Sequence, residues 1–245
     1  MIEKVLKEIK RIAYTGGIDL VGIANLSSLQ GIQTCPSNLL EPFKYGICLA
    51  VSLDKFSSTI FDNTTEDLAC EILEKTAKRI KGFIRKKGYK AKIIPFDERV
   101  KDFGPLYYKG AISHKAIAKA AGLGWIGKST LLITPQYGPR VNLISILTDM
   151  PLRCGKPMKN RCGNCSACIE ACPVGALKDS NFLEHPEKLE DCIDVFKCGP
   201  YVDKTWEKGK NLLGMCSSLS LWKKTKNPIS FKSRIQITME LHLPS

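Results

Sequence analysis

Apolar residues recur at helical spacing near the start of the chain. Ile2, Val5, Leu6, Ile9, Ile12 and Ala13 fall on one face, with lysine and glutamate between them. That period belongs to an amphipathic helix, and Gly16-Gly17 supplies its stop. The pattern then shortens. Ile18 to Ala24 and Tyr45 to Leu53 are compact apolar runs that predict buried strands. Glu66 to Lys87 returns to the helical period, with Gly88 as its stop, and Tyr89 to Pro95 predicts another strand. Ser113 stands where an N-cap would open an alanine-rich helix, His114 to Ala121. Leu131 to Thr134 and Val141 to Leu147 predict further strands. Helices and strands in alternation predict an α/β (α+β) fold, with a layered domain over residues 1–150.

After residue 150 the pattern is set by cysteine. Cys162, Cys165, Cys168 and Cys172, with Pro173, form the run C-x2-C-x2-C-x3-C-P. Three thiolates at this spacing wrap one face of an iron–sulfur cube, and in two-cluster ferredoxins the fourth cysteine ligates the other cluster. Zinc ribbons use two separated C-x2-C pairs instead. A disulfide framework suits an oxidising compartment. The run therefore predicts a [4Fe–4S] cluster in a ferredoxin-like module over residues 151–213, which the metal must help to fold. Of the eleven cysteines, Cys192, Cys198 and Cys216 are the downstream candidates for further ligation. Cys48 lies in a predicted strand and reads as buried structure. Cys35 and Cys70 are scattered, and Cys154 lies close to the run but off its spacing.

Composition narrows the class. Hydrophobic residues make up 44% and charged residues 25%, as in an ordinary soluble protein. No stretch has the length of a membrane span. The N-terminal segment is charged and amphipathic, without an apolar signal core or twin arginine. These features predict a cytoplasmic location with reduced cysteines and no membrane partner. The net charge of +13 favours polyanions and admits RNA as a partner. The plainer reading of Lys78, Lys81, Lys86, Lys87 and Lys90 is a solvated lysine-rich surface.

One motif competes with the cysteines. Gly122-Leu-Gly-Trp-Ile-Gly127-Lys128-Ser129 satisfies G-x4-G-K-[ST], the phosphate loop of nucleotide hydrolases. Such a loop follows a strand and opens a helix. Here a helical pattern precedes the glycines and a strand pattern follows, which predicts a tight turn bringing backbone close to a ligand or to the cysteine module. Gly122, Gly124, Trp125, Gly127 and Lys128 are the candidate cofactor-binding residues, with an ATP-binding metalloprotein as the lesser alternative. His114 reads either as a proton donor or cofactor contact, or as a surface residue in the first turn of its helix. Tyr107 and Tyr108 read either as acidic hydroxyls or as packing residues.

Several segments together resemble a known family. These are Gly17-Ile-Asp-Leu-Val-Gly-Ile-Ala24, Ser113-His-Lys115, the stretch from Ala121 to Arg140, Leu147-Thr-Asp149 and the cysteine run. They look like the epoxyqueuosine reductase-like iron–sulfur proteins over most of residues 1–200. The resemblance implies a cobalamin-binding α/β domain, a ferredoxin module with two [4Fe–4S] clusters, and reduction of an epoxide on a modified tRNA base. Reductive dehalogenases are more distant relatives. An electron donor such as ferredoxin or flavodoxin, and tRNA, are the implied partners.

Two departures accompany the resemblance. The family's Asp-x2-Pro-x2-Glu stretch has no counterpart in Tyr107 to Lys115, so no catalytic residue is assigned. The family's second cysteine run, C-G-x-C-x3-C-P-[YF]-G-K-K, is replaced by Met215-Cys-Ser-Ser-Leu-Ser-Leu-Trp-Lys-Lys-Thr-Lys226. Codons exist for those residues which, shifted by one base, read Cys-Val-Val-Val-Cys-Pro-Tyr-Gly-Lys-Lys-Pro. The expectation is that residues 214–245 are out of frame and form no unique structure. Cys162, Cys165 and Cys168 would then lack their remote fourth ligand, and Cys172 with Cys192 would be half of a second site. The functional expectation is an oxidoreductase passing electrons from its cluster to a corrinoid and then to a substrate. A non-catalytic electron-transfer or corrinoid-handling protein is the alternative.

Overall fold

A computed structural model describes residues 2–56, 63–95, 110–180 and 189–207. Tyr107, Tyr108, Cys216 and the tail from Gly214 lie outside the described residues. Helix α1 (Ile2–Thr15) buries Ile9, Ile12 and Ala13 and ends at Gly17, whose φ of +94° suits glycine. Helix α2 (Asn63–Lys86) starts three residues before the predicted Glu66 and stops at Gly88, again in the left-handed region. Strands β1 (Leu20–Asn25), β2 (Tyr45–Ser52), β3 (Ala91–Ile94) and β6 (Val141–Thr148) form one sheet in the order β1-β2-β6-β3. Every neighbouring pair in it is antiparallel.

Both faces of the sheet are covered, which explains why β2 and β6 read as continuous apolar runs. Ile47 pairs with Ile146 and Leu49 with Ile144 across the central strands, and these side chains pack with α1 and α2. Cys48 and Leu147 face the other way, into the cluster built around Ile112, Ala116 and Ile117. Each fully buried isoleucine or leucine contributes about 1.5–3 kcal/mol, so the central strands anchor the body. Cys48 is fully buried, and burial pushes its thiol up to about 12 despite a hydrogen bond with Ser145. It is inert packing, as the sequence predicts.

Helix α3 (His114–Ala120) is capped by Ser113, whose Oγ accepts from the Ala116 amide at 3.3 Å. His114 at its start is tied down at both ring nitrogens. Nδ1 lies 2.9 Å from Ser145 Oγ and Nε2 lies 3.0 Å from the Pro95 carbonyl. The ring thus fastens α3 to β6 and to the end of β3, and neither nitrogen is left over for proton transfer. Burial holds its pKa below the ordinary 6.5, opposed by the Pro95 carbonyl, although the ring keeps a solvent-accessible edge.

A pH prediction follows from that sign. The folded state resists protonating His114, so its contribution is fully present above about 6.5 and is lost as pH falls through the lower folded value. Wild type should lose more stability than His114→Gln between about pH 7.5 and about pH 5.5, with a ceiling near 1.4 kcal/mol per pH unit for one proton. Chemical denaturation at the two pH values checks this, and parallel losses in both proteins would contradict it.

Candidate metal centre

The chain leaves α3 through a β-hairpin made of β4 (Trp125–Ile126) and β5 (Leu132–Ile133). β5 is shorter than the predicted Leu131–Thr134. The glycine motif occupies this hairpin, so a helix precedes it and no helix opens after it. The geometry required of a phosphate loop is missing, and the ATP alternative falls with it.

The glycines serve close backbone packing instead. A Cβ on Gly122 would lie 2.4 Å from the Lys156 carbonyl oxygen, and one on Gly155 would lie 2.1 Å from that of Ala121. The segment leading to the cysteine run therefore crosses the end of α3 backbone to backbone. Gly124 meets the Ile133 carbonyl in the same way, at 2.1 Å. A Cβ on Gly127 would press on Ile133 Cγ1 at 2.9 Å and lie 3.5 Å from Cys162 Sγ. The hairpin thus rests directly on the first cysteine of the run.

Asn160 locks that contact. Its Nδ2 donates to the Ile126 carbonyl at 3.1 Å, and its Oδ1 accepts from the Cys162 amide at 2.9 Å. The Arg161 guanidinium lies over the Trp125 ring, 5.4 Å from its centroid. The Trp125 indole N–H is buried and has no hydrogen-bond partner among the described residues. Lys128 is covered, with a side-chain exposure of 4%, and its ammonium meets Asp179 at 2.6 Å. The Asp179 hydrogen bond holds the Lys128 pKa above its ordinary value, against burial, and the Cys162 and Cys165 thiols add to the rise.

The run itself turns tightly. The Cys165 amide donates to the Cys162 carbonyl at 3.0 Å around Gly163, and the short helix α4 (Ala167–Glu170) carries Cys168. Burial raises the Cys168 thiol to about 11, helped by repulsion from Cys162 and Cys165. Three cysteines at this spacing are the ligand set of an iron–sulfur cube.

Cys172 behaves in the opposite sense. Burial would raise its thiol, but backbone N–H groups of Ala176, Leu177, Val174 and Gly175 more than compensate and lower it. Ala176 N lies 3.3 Å from Cys172 Sγ. Successive amides around a sulfur make the kind of nest found at many iron–sulfur sites. Helix α5 (Val195–Glu207) brings Cys198 near Cys172, and its thiol is raised by burial and then by Cys172. Cys192 is 1% exposed, and its carbonyl accepts from the Lys178 amide at 2.9 Å, beside the bridge between Leu177 and Ile193.

Among the described residues no three Cys, His, Asp or Glu side chains converge as on a single metal ion. A cluster differs, because each thiolate binds a separate iron. The thiol set, the amide nest and the unpaired indole donor fit an iron–sulfur group. Cys154 packs against the core of the α/β body, and Cys70 is buried in α2, where Asn142 Nδ2 lies 3.6 Å from its sulfur. Neither belongs to the centre.

Comparison with known proteins agrees with this geometry. A 4Fe-4S binding domain matches residues 157–178. An epoxyqueuosine reductase of Listeria monocytogenes is 47% identical over 68 residues, covering 28% of this chain and 18% of the relative. One of Gloeobacter violaceus is 52% identical over 68 residues, covering 28% and 21%. That of Aliivibrio fischeri is 34% identical over 109 residues, covering 44% and 28%. Over these segments the chain is similar to the epoxyqueuosine reductases. The matched segments span less than a third of those relatives' own lengths.

The fold likeness extends further. A solved epoxyqueuosine reductase with an epoxyqueuosine-modified tRNA-Tyr stem loop matches with a TM-score of 0.61 at 19% identity, over 93% of this chain and 68% of that one. A reductive dehalogenase structure, discussed for B12-dependent dehalogenation, gives 0.65 at 19% identity over 96% and 34%. At such identities the shared property is the fold. No helix among the described residues is long and apolar enough to cross a membrane.

Proposed function

We propose that this chain is an iron–sulfur oxidoreductase in which Cys162, Cys165 and Cys168 hold a [4Fe–4S] cluster that feeds electrons to a corrinoid carried by residues 1–150. When bound, the cluster supplies single electrons and the corrinoid supplies the difficult bond chemistry. The observation that carries this reading is the seating of the Gly122–Ser129 hairpin on Cys162. It makes the cluster site a direct neighbour of the α/β body. The protein's own part is positional. Asn160 fixes the start of the run against β4, the glycine crossing holds the segment at Gly155 and Lys156 to the body, and the Cys172 nest keeps that sulfur ready to ionise.

The proposed substrate is an epoxide on a modified tRNA base, a reading supported by the similarity to epoxyqueuosine reductases and by the net charge of +13. The fold likeness to a reductive dehalogenase discussed for B12-dependent dehalogenation supports the corrinoid, and Gly122, Gly124, Trp125, Gly127 and Lys128 are its proposed contacts. A one-electron carrier of the ferredoxin or flavodoxin type is the proposed donor, in the cytoplasm. Cys172, Cys192 and Cys198 are proposed as ligands of a second, incomplete site. The tail from about Gly214 is proposed to be out of frame, and reading the gene's codons tests that point.

The second reading, electron transfer or corrinoid handling without a substrate, rests on the region from Tyr107 to Lys115, which lacks the acid that the family carries before its glycine-rich stretch. The test is visible absorption of the anaerobically reconstituted full chain after hydroxocobalamin is added and excess removed. Retained corrinoid bands with turnover of epoxyqueuosine-containing tRNA are expected. Bands without turnover would favour the second reading, and absence of bands would overturn the corrinoid in both.

A further inference from the structure

Lys128 would be the phosphate-binding residue of a nucleotide loop, and the hairpin denies it that role. Its side chain is nevertheless covered, with 4% exposed, and its ammonium lies at the edge of the body against an exposed carboxylate. Asp179, at 2.6 Å, answers part of the charge from the surface, being 62% exposed. Lys128 directly follows Gly127, whose Cβ position is 3.5 Å from Cys162 Sγ, and Cys162 and Cys165 both act on the ammonium. The distance is held, not accidental: Asn160 hydrogen-bonds both to β4, just before the lysine, and to Cys162.

We propose that Lys128 sets the reduction potential of the cluster held by Cys162, Cys165 and Cys168, with Asp179 opposing it. The proposal rests on the cluster reading given above. Reduction adds one electron to the cluster and its thiolates, with no bond made and no proton moved. The electron comes from a one-electron reductant, dithionite in the test. The added negative charge is stabilised by an ammonium at short range and destabilised by a carboxylate, each roughly in inverse proportion to distance. Removing Lys128's charge therefore lowers the potential, and removing that of Asp179 raises it. The Asp179 effect is smaller, because solvent screens an exposed carboxylate. A plain structural clip predicts something else: both changes would loosen the hairpin alike, and neither would move the potential.

The test is a dithionite titration of the anaerobically reconstituted full chain, followed by electron paramagnetic resonance of the reduced cluster. In Lys128→Gln the ratio of oxidised to reduced cluster at the wild-type midpoint should rise about tenfold, a downward shift of about 59 mV for one electron. Lys128→Arg, which keeps the charge, should return most of the way, and Asp179→Asn should shift upward. Should Lys128→Gln fail to take up a cluster, the upward shift in Asp179→Asn decides alone. Loaded clusters with unchanged midpoints in these variants would overturn this proposal and leave the cluster reading standing. A wild-type chain that takes up no cluster would overturn the cluster reading itself.

Discussion

Cys165→Ser is expected to strip most of the iron from the reconstituted protein and to loosen residues 151–180. Cys165 is the middle cysteine of the three at the start of the run, held in a tight turn by its amide bond to the Cys162 carbonyl. Without metal, burial and then the neighbouring cysteines keep the Cys168 thiol from ionising. Metal binding and local folding are coupled in small metal modules, so losing one ligand is expected to weaken both. Serine matches the shape but offers a hard, poorly ionised oxygen where iron–sulfur chemistry uses thiolate. Cys70→Ala is the control, because Cys70 is buried in α2, away from the run. Iron analysis of both variants checks the assignment. Wild-type iron in Cys165→Ser, or lost iron in Cys70→Ala, would contradict it.

Gly155→Ala is expected to be strongly destabilising. The added carbon would sit 2.1 Å from the Ala121 carbonyl oxygen, so one backbone segment must retreat. Retreat breaks the bond from the Gly155 amide to the Ile23 carbonyl, now 2.8 Å, and pulls the cysteine run away from the hairpin. Overpacking against backbone costs about 3 kcal/mol, the upper end for such insertions, and cluster uptake should suffer with it. Gly82→Ala is the counterpart: it lies within α2 with open space around the position. There alanine should stabilise by about 0.5–1 kcal/mol through helix propensity. Denaturation midpoints of the two variants should move in opposite directions.

Much of the body could be read from local pattern. The α1 stripe, the Gly17 and Gly88 stops, the Ser113 cap and the apolar runs of β2 and β6 each depend on neighbours a few residues away. The cysteine run was legible for the same reason, since its chemistry lies in its spacing. The strand order and its fully antiparallel register were not, because pairing β2 with β6 joins distant parts of the chain that no local period specifies.

The glycine motif shows the limit most plainly. Its spacing imitates a phosphate loop, and only the partners of each glycine, at Lys156, Ile133, Ala121 and Cys162, reveal that it packs backbone against backbone. His114, readable either as a proton donor or as a surface residue, is a tie between α3, Ser145 and Pro95. The Lys128–Asp179 pair left no mark in the sequence at all, since neither residue announces its partner. Its only local hint was a lysine in a motif whose context was wrong for nucleotide.

The most direct test of the central claim is the iron and acid-labile sulfide content of the full chain after anaerobic reconstitution, read together with electron paramagnetic resonance of the dithionite-reduced sample. A cluster on Cys162, Cys165 and Cys168 predicts about four irons and about as many sulfides per occupied site, with a reduced-cluster signal that is absent in Cys165→Ser. Tightly bound zinc in place of iron, or iron without sulfide and without that signal, would contradict the account.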